Sequence, residues 1–282
     1  MDIDEFLIRT TIRIEVQTKY GLCTGTGFFF TFKLDEYNIP VIVTNKHVIK
    51  DGNIGKIIFS MVDEKNNIIE GKKHSITITE FEKAWIMHPD NNIDLCIMPI
   101  APILESVGKN GIHLACAFLL KENMLSEADI INLSKIEDIT VIGYPDGIWD
   151  YYNNLPIVRK GITATPICYD FENTPKFLID AAIYGGSSGS PVFIYNQGSY
   201  NSKTGLCVGD RIKFVGIVYA VAQHTVTGEM KIIDIPTINK PVSVVQVPNN
   251  LGVVIKAEQL NIFEDILLKK ISKEKLEVEN SD

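Results

Sequence analysis

"AAIYGGSSGSPVF", Ala181 to Phe193, sets two adjacent serines among three glycines and then opens an apolar run with Pro191. Glycine gives a backbone access to conformations closed to other residues, and it fills no core. Hydroxyls on such a backbone are presented rather than packed. One reading is a surface turn, where Gly and Ser are common. The choice among readings depends on what lies on either side.

Short strands lie on both sides. "TIRIEVQT" (Thr11–Thr18) alternates Ile12, Ile14 and Val16 with polar neighbours, a period of two. "GTGFFFTF", "IPVIVTN", "KIIFSMV", "HSITITEF" and "DLCIMPI" follow, which makes six strands by Ile100. A second six are "DITVIG", "PIVRKGITATP", "KFLID", "PVFIY", "KFVGIVYAVA" and "LGVVIK". Two runs of short strands separated by turn signals predict an all-β protein of two six-stranded antiparallel barrels. "HLACAFLLKENMLSEADI" lacks alternation and reads as a partly helical connector. Leu260, Phe263, Leu267 and Ile271 share one face of a C-terminal helix that runs into a charged tail. The expected division is 1–115, carrying His47 and Asp94; a connector, 116–137; 138–256, carrying Ser188; and the helix and tail, 257–282.

Composition narrows the function. The 282 residues are 45% apolar and carry a net charge of −8, which disfavours a phosphate-binding surface and nucleic acid as a partner. "MDIDEFLIRT" has acids where a secretory leader has Lys or Arg, and no stretch reaches the ~18 apolar residues of a membrane span. Cys23, Cys96, Cys116, Cys168 and Cys207 are odd in number and lack C-x-x-C spacing. They predict a reducing, cytoplasmic location and no zinc site. Gly52-Asn53-Ile54-Gly55-Lys56 is too short between its glycines for a phosphate loop.

Two catalytic readings of the glycine–serine stretch remain. Gly185-x-Ser187-x-Gly189 fits a nucleophile elbow with Ser187 as nucleophile. That motif needs a helix after it, then an acid and a histidine, whereas Pro191–Tyr195 reads as a strand and the only later histidine is His224. Gly186-Ser187-Ser188-Gly189-Ser190-Pro191 instead resembles the G-x-S-G-G-P signature of trypsin/chymotrypsin-like serine peptidases, with Ser188 as nucleophile. There the amides of Gly186 and Ser188 must face one oxygen.

That resemblance requires a histidine and an aspartate upstream, in that order. "VIVTNKHVIK" resembles the family's V-T-A-A-H-x-V segment and supplies His47. "NNIDLCIMPI" resembles D-(I/L)-A-(L/V)-(L/M) and supplies Asp94. Asp90 and His88 are the rivals. An acid entering a buried strand needs a reason, and Asp94 has one in orienting an imidazole. Gly25-Thr26-Gly27-Phe28, Gly143-Tyr144-Pro145, "FLIDAAIY", "FVGIVYAV" and "LGVVIKAEQL" also resemble family segments, so the likeness runs from about Ile12 to Leu268. The style is that of the heat-shock, high-temperature-requirement peptidases, without a PDZ-like segment.

The resemblance implies a serine endopeptidase without cofactor or metal, acting on protein or peptide substrates, with no membrane partner. Ser188 would attack, His47 would take its proton, Asp94 would hold the imidazole, and an acyl-enzyme would form. The substrate cleft would be lined by Ala182, Ile183, Tyr219, Ala220 and Val221. With no acid in "AAIYGG", that cleft predicts an uncharged, small-to-medium apolar residue on the acyl side of the cut. There are departures. Ser187 stands where the family has Asp, Ser190 replaces a common Gly, and Tyr219 stands where a small residue usually neighbours the catalytic Asp. There is no I-V-G-G activation sequence, so restraint would fall to narrow specificity or to a disordered active-site loop, and a regulatory protein partner is a further expectation. A catalytically silent binding module of the same fold is the alternative, and a scaffold whose Gly-Ser stretch is only a turn is a third reading.

Overall fold

In the computed structural model residues 2–203, 205–226 and 245–279 are described. The amino-terminal half holds β1 (Thr11–Thr18), β2 (Gly21–Leu34), β3 (Tyr37–Thr44), β4 (Ile54–Val62), β5 (Ile68–Thr79), β6 (Ile86–Met87), β7 (Cys96–Pro99) and β8 (His113–Leu114). Their hydrogen-bonded order is β5-β4-β1-β2-β3-β7-β6, with β8 on β4. The expected strands are all there, but the six-stranded first barrel is an eight-stranded sheet whose path is not closed. β6 and β8 are two residues each, too short to show a period in sequence.

The carboxy-terminal half holds β9 (Asp138–Gly143), β10 (Ile157–Thr163), β11 (Lys176–Asp180), β12 (Pro191–Asn196), β13 (Ser199–Ser202), β14 (Gly205–Val208), β15 (Arg211–Val226) and β16 (Val245–Lys256). Six of these close into the predicted barrel, β10-β11-β16-β15-β12-β9, while β13 and β14 pair only with each other. Among the described residues the α-helices are α1 (Ile3–Ile8), α2 (Lys46–Ile49), α3 (Ala101–Lys109), α4 (Glu127–Asn132) and α5 (Ile262–Glu279).

Side-chain period explains the packing. Ile12, Ile14 and Val16 of β1 are buried against Phe29, Ile42 and Phe59, as alternation requires. A larger core crosses between the halves. It joins Phe28, Phe30 and Leu95 to Phe193, Phe214 and Ile255, with Phe28 and Phe214 ring centroids 5.2 Å apart. Leu260, just before α5, and Phe263 and Leu267 on it seal this core, while Ile271, the fourth residue of the predicted face, is half-buried. Burying a side chain of this size stabilises by roughly 1.5–3 kcal/mol. This shared seam holds the end of β3 against the β11–β12 loop, where the serines lie.

Candidate active site

β3 runs straight into α2, and His47 is the second residue of that short helix. Asn45, fully buried at the junction, donates its side-chain amide to the Asp94 carbonyl at 2.7 Å. This fixes β3 to the segment entering β7. His47 then meets Asp94 twice: its backbone N–H donates to Oδ1 at 3.1 Å and its ring Nδ1–H donates to Oδ2 at 2.5 Å. A carboxylate can only accept, so this contact sets the tautomer and leaves Nε2 free to accept a proton. Burial pushes the Asp94 carboxyl upward, but hydrogen bonds from His47 and the Lys46 amide, with the charge of His47, outweigh it and hold the group below the ordinary carboxylate range.

The rivals are placed elsewhere. His88 is buried, with Nδ1 accepting from the Asp90 amide at 3.1 Å and its ring edge against Phe263. Asp90 caps its own turn through the Asn92 amide.

The glycine–serine loop joins β11 to β12. Gly186 and Gly189 have φ of +77° and +85°, in the left-handed region that favours glycine. A Cβ on Gly189 would lie 1.9 Å from the Thr26 carbonyl oxygen, so that position is closed to any side chain. Ser187 is tucked in: its N–H donates to the Tyr184 carbonyl and its Oγ accepts from the Tyr184 amide. Ser188 is half-buried, and its carbonyl accepts from the Thr26 N–H at 3.0 Å. The amides of Ser187, Gly189 and Ser190 all donate within the protein. Among the described residues those of Gly185, Gly186 and Ser188 do not. Two free amides two residues apart, beside a half-buried hydroxyl, suit an oxygen that gains negative charge. No hydrogen bond joins the Ser188 hydroxyl to His47 among the described residues; the two are linked through Thr26, whose carbonyl accepts from Thr44 Oγ1, three residues before His47. Such contacts are commonly loose before substrate binds.

Of the expected cleft residues, Ala182 is exposed and Ile183 is buried in the barrel core. A Cβ on Gly252 would approach Ile183 Cγ1 to 2.8 Å, so Ile183 fills the space facing β16. Val221 pairs with Gly252 in the ladder, and its side chain lies outside the described residues. Tyr219 sits at a register shift between Val218 and Ala220, with its hydroxyl 3.4 Å from Lys176 Nζ. The described partner of its hydroxyl is therefore Lys176, and no hydrogen bond to Asp94 is among the described contacts. Ala220 is half-buried and pairs with Val253. Sequence reasoning missed Arg159, which donates to the Ala182 carbonyl and lies over the Tyr184 ring. It also missed the role of Thr26, although the motif containing it was quoted. Among the described residues no group of three or more His, Cys, Asp or Glu stands close enough to hold a metal ion.

The family model for the trypsin-like peptidase domain matches residues 25–199, well over half of the chain and inclusive of His47, Asp94 and Ser188. The chain belongs to the trypsin-like peptidase family. That membership makes it a serine endopeptidase, a hydrolase of peptide bonds. No curated protein sequence matches it. Solved structures similar to this trypsin-like peptidase include the active form of the Rv3671c protease from M. tuberculosis, at 15% identity and TM-score 0.45, covering 92% of this chain and 80% of that one. The HtrA-type protease AlgW with a tripeptide is 14% identical at TM-score 0.46, covering 93% of this chain and 61% of that one. A serine endoprotease from Yersinia pestis is 16% identical at TM-score 0.45, covering 94% and 65%.

Proposed function

We propose that the chain cleaves peptide bonds by nucleophilic catalysis, with Ser188 as nucleophile, His47 as general base and Asp94 as the group that orients and stabilises the imidazolium. The observation that carries this reading is the double hydrogen bond from His47 to Asp94, which leaves Nε2 as the acceptor. Ser188 Oγ adds to the carbonyl carbon of the scissile bond as its proton passes to His47. The carbonyl oxygen becomes an oxyanion facing the Gly186 and Ser188 amides. His47 then returns the proton to the leaving amine, an acyl-enzyme remains, and water releases it by the same route. One oxyanion donor is worth about 2.7–4 kcal/mol in this chemistry.

The backbone of β15 beyond Ile217 supports substrate binding. Pairing with β12 ends at Ile217, and Tyr219 to Val221 continue along the edge beside the serine loop. An extended peptide would add to that edge as a strand. Ala182 and Ile183, with no acid between them and Ser188, support an apolar residue on the acyl side of the cut. Five free cysteines support a reducing, cytoplasmic setting, and no helix among the described residues is long and apolar enough to cross a membrane. Restraint by a regulatory protein partner belongs to the same proposal. The test is mass-spectrometric mapping of cleavage sites in a denatured protein mixture. Wild-type protein produces new termini after apolar residues, and Ser188→Ala produces none. Equal cleavage by both, or by neither, overturns the reading.

A further inference from the structure

Thr26 is fully buried, and each of its polar groups is used at the seam between the halves. Its N–H donates to the Ser188 carbonyl at 3.0 Å. Its carbonyl accepts from Thr44 Oγ1 at 2.7 Å. Its hydroxyl donates to the Gly186 carbonyl at 3.0 Å and accepts from the Tyr144 N–H at 3.0 Å. One residue of β2 therefore grips the carbonyls on both sides of the Ser187–Ser188 step. It also ties the serine loop to the turn after β9 and to the end of β3, which leads into the helix of His47.

The consequence lies in the peptide planes. The Gly186 N–H belongs to the 185–186 plane, whose carbonyl accepts from the Asp146 N–H at 2.5 Å. The next plane, 186–187, is held by the Thr26 hydroxyl. Gly186 has no Cβ and sits at φ +77°, so nothing intrinsic to it resists rotation of either plane. Tyr144, whose amide the hydroxyl accepts, is two residues before Asp146, so the Thr26 hydroxyl orders both holders at once. A peptide unit is planar and trans, so fixing a carbonyl aims the N–H of the same plane the opposite way: the Asp146 bond aims the Gly186 N–H, the Ser190 N–H on the Ser187 carbonyl at 3.0 Å aims that of Ser188, and Thr26 holds the planes between and after them.

We propose that Thr26 is the positioning residue of the oxyanion hole, its hydroxyl and N–H holding the peptide planes that flank the Gly186 and Ser188 amides and so the directions in which those amides point. This rests on the reading of Ser188 as nucleophile. Thr26 touches no substrate; it acts through the loop. Valine has nearly the same shape but neither donor nor acceptor, and it would leave the Gly186 carbonyl and the Tyr144 N–H buried without partners. Serine keeps both hydrogen bonds.

The test compares wild type, Thr26→Val, Thr26→Ala and Thr26→Ser in the full chain. The readouts are kcat and KM on a peptide cut after leucine, and the affinities of a peptide ending in leucinal and of the same peptide ending in leucinamide. The aldehyde carbon forms a bond to Ser188 Oγ as the hydroxyl proton passes to His47 Nε2, and the aldehyde oxygen takes the C=O electron pair and enters the hole; the amide only occupies the cleft. Thr26→Val and Thr26→Ala lower kcat by about ten- to a hundredfold, within what loss of one oxyanion donor costs. KM and leucinamide affinity stay within about twofold, leucinal affinity falls with kcat/KM, and Thr26→Ser stays within about threefold of wild type. Unchanged leucinal affinity in both hydroxyl-free variants overturns the proposal, as does Thr26→Ser failing like Thr26→Val. If neither hydroxyl-free variant folds, by circular dichroism and thermal unfolding, the role is structural and the proposal falls. Failure of the underlying reading shows separately, as absence of hydrolysis and of leucinal binding in wild type.

Discussion

His47 and Asp94 are joined by two hydrogen bonds from one residue to one carboxylate, backbone N–H to Oδ1 and ring Nδ1–H to Oδ2. A helix start and a side chain are thus aligned by the same acid. The fixed φ/ψ at the end of β3 and the orientation of the ring cannot vary independently, which is what a base needs to meet a nucleophile repeatedly in one geometry.

Asp94→Asn keeps the size and the acceptor for the His47 amide, but it offers the ring an N–H as readily as an oxygen. The wrong tautomer is then favoured, and kcat falls by about 10³–10⁴-fold with KM changed little, as in other triads. Because Asp94 is held below the ordinary carboxylate range, it stays ionised through mildly acid solution, and the wild-type acid limb of kcat/KM does not report its titration. Steady-state kinetics of wild type and variant from pH 5 to 9 check both statements. A variant retaining a tenth of wild-type kcat would contradict them.

Gly189→Ala places a methyl where a Cβ meets the Thr26 carbonyl at 1.9 Å, at φ +85°. Backbone strain and overlap together cost about 2 kcal/mol or more, and the serine loop must leave Thr26 to relieve them. Urea unfolding measures the first effect and peptide hydrolysis the second. Normal stability with normal activity would mean that the loop is not docked as described.

The proton affinity of His88 is lowered in the folded protein, because burial, with Lys46 adding to it, outweighs hydrogen bonding to the Asp90 and Gln259 backbone and the Asp90 charge. The unfolded chain therefore binds more protons than the folded one as the pH falls below the ordinary histidine value of about 6.5. That contribution to stability is present above about pH 6.5 and is lost on acidification towards the lowered folded value. Urea midpoints at pH 7.5 and 5.5 fall more in wild type than in His88→Gln, which keeps a donor and an acceptor without titrating. Equal falls would show that His88 does not couple.

Arg159 brings a positive charge to the wall at Ala182, and among the described residues it forms no ion pair. Cleavage after Leu, Val or Ala therefore exceeds cleavage after Lys or Arg in a peptide library. Arg159→Glu raises kcat/KM on the Lys and Arg peptides relative to Leu by about tenfold, the ~1.4 kcal/mol of a partly screened charge pair. A wild-type profile led by Lys or Arg would show that an acid from another segment reaches the pocket.

Much of the fold was legible because it rests on local period. Ile12, Ile14 and Val16 alternate and are buried; Phe263 and Leu267 follow helical spacing and are buried. The closed second barrel followed from six such runs. The β13–β14 hairpin was not legible, since Leu206 and Val208 are exposed and no buried face imposes a pattern. The pairing of His47 with Asp94 was legible because chemistry and short motifs coincide there, as they do at Ser188 in the proposed site. Arg159 was not, because barrel closure brings it to Ala182, across 23 residues of sequence. Thr26 stood in a recognised motif, but three of its four hydrogen bonds depend on the packing of one half on the other.

The central claim is that Ser188, and not its neighbour Ser187, is the nucleophile. Labelling with a fluorophosphonate probe, followed by peptide mapping of the modified serine, tests it directly. The account predicts modification at Ser188 in wild type, none in Ser188→Ala, and retained modification in Ser187→Ala. Label on Ser187, or undiminished labelling of Ser188→Ala, would contradict it.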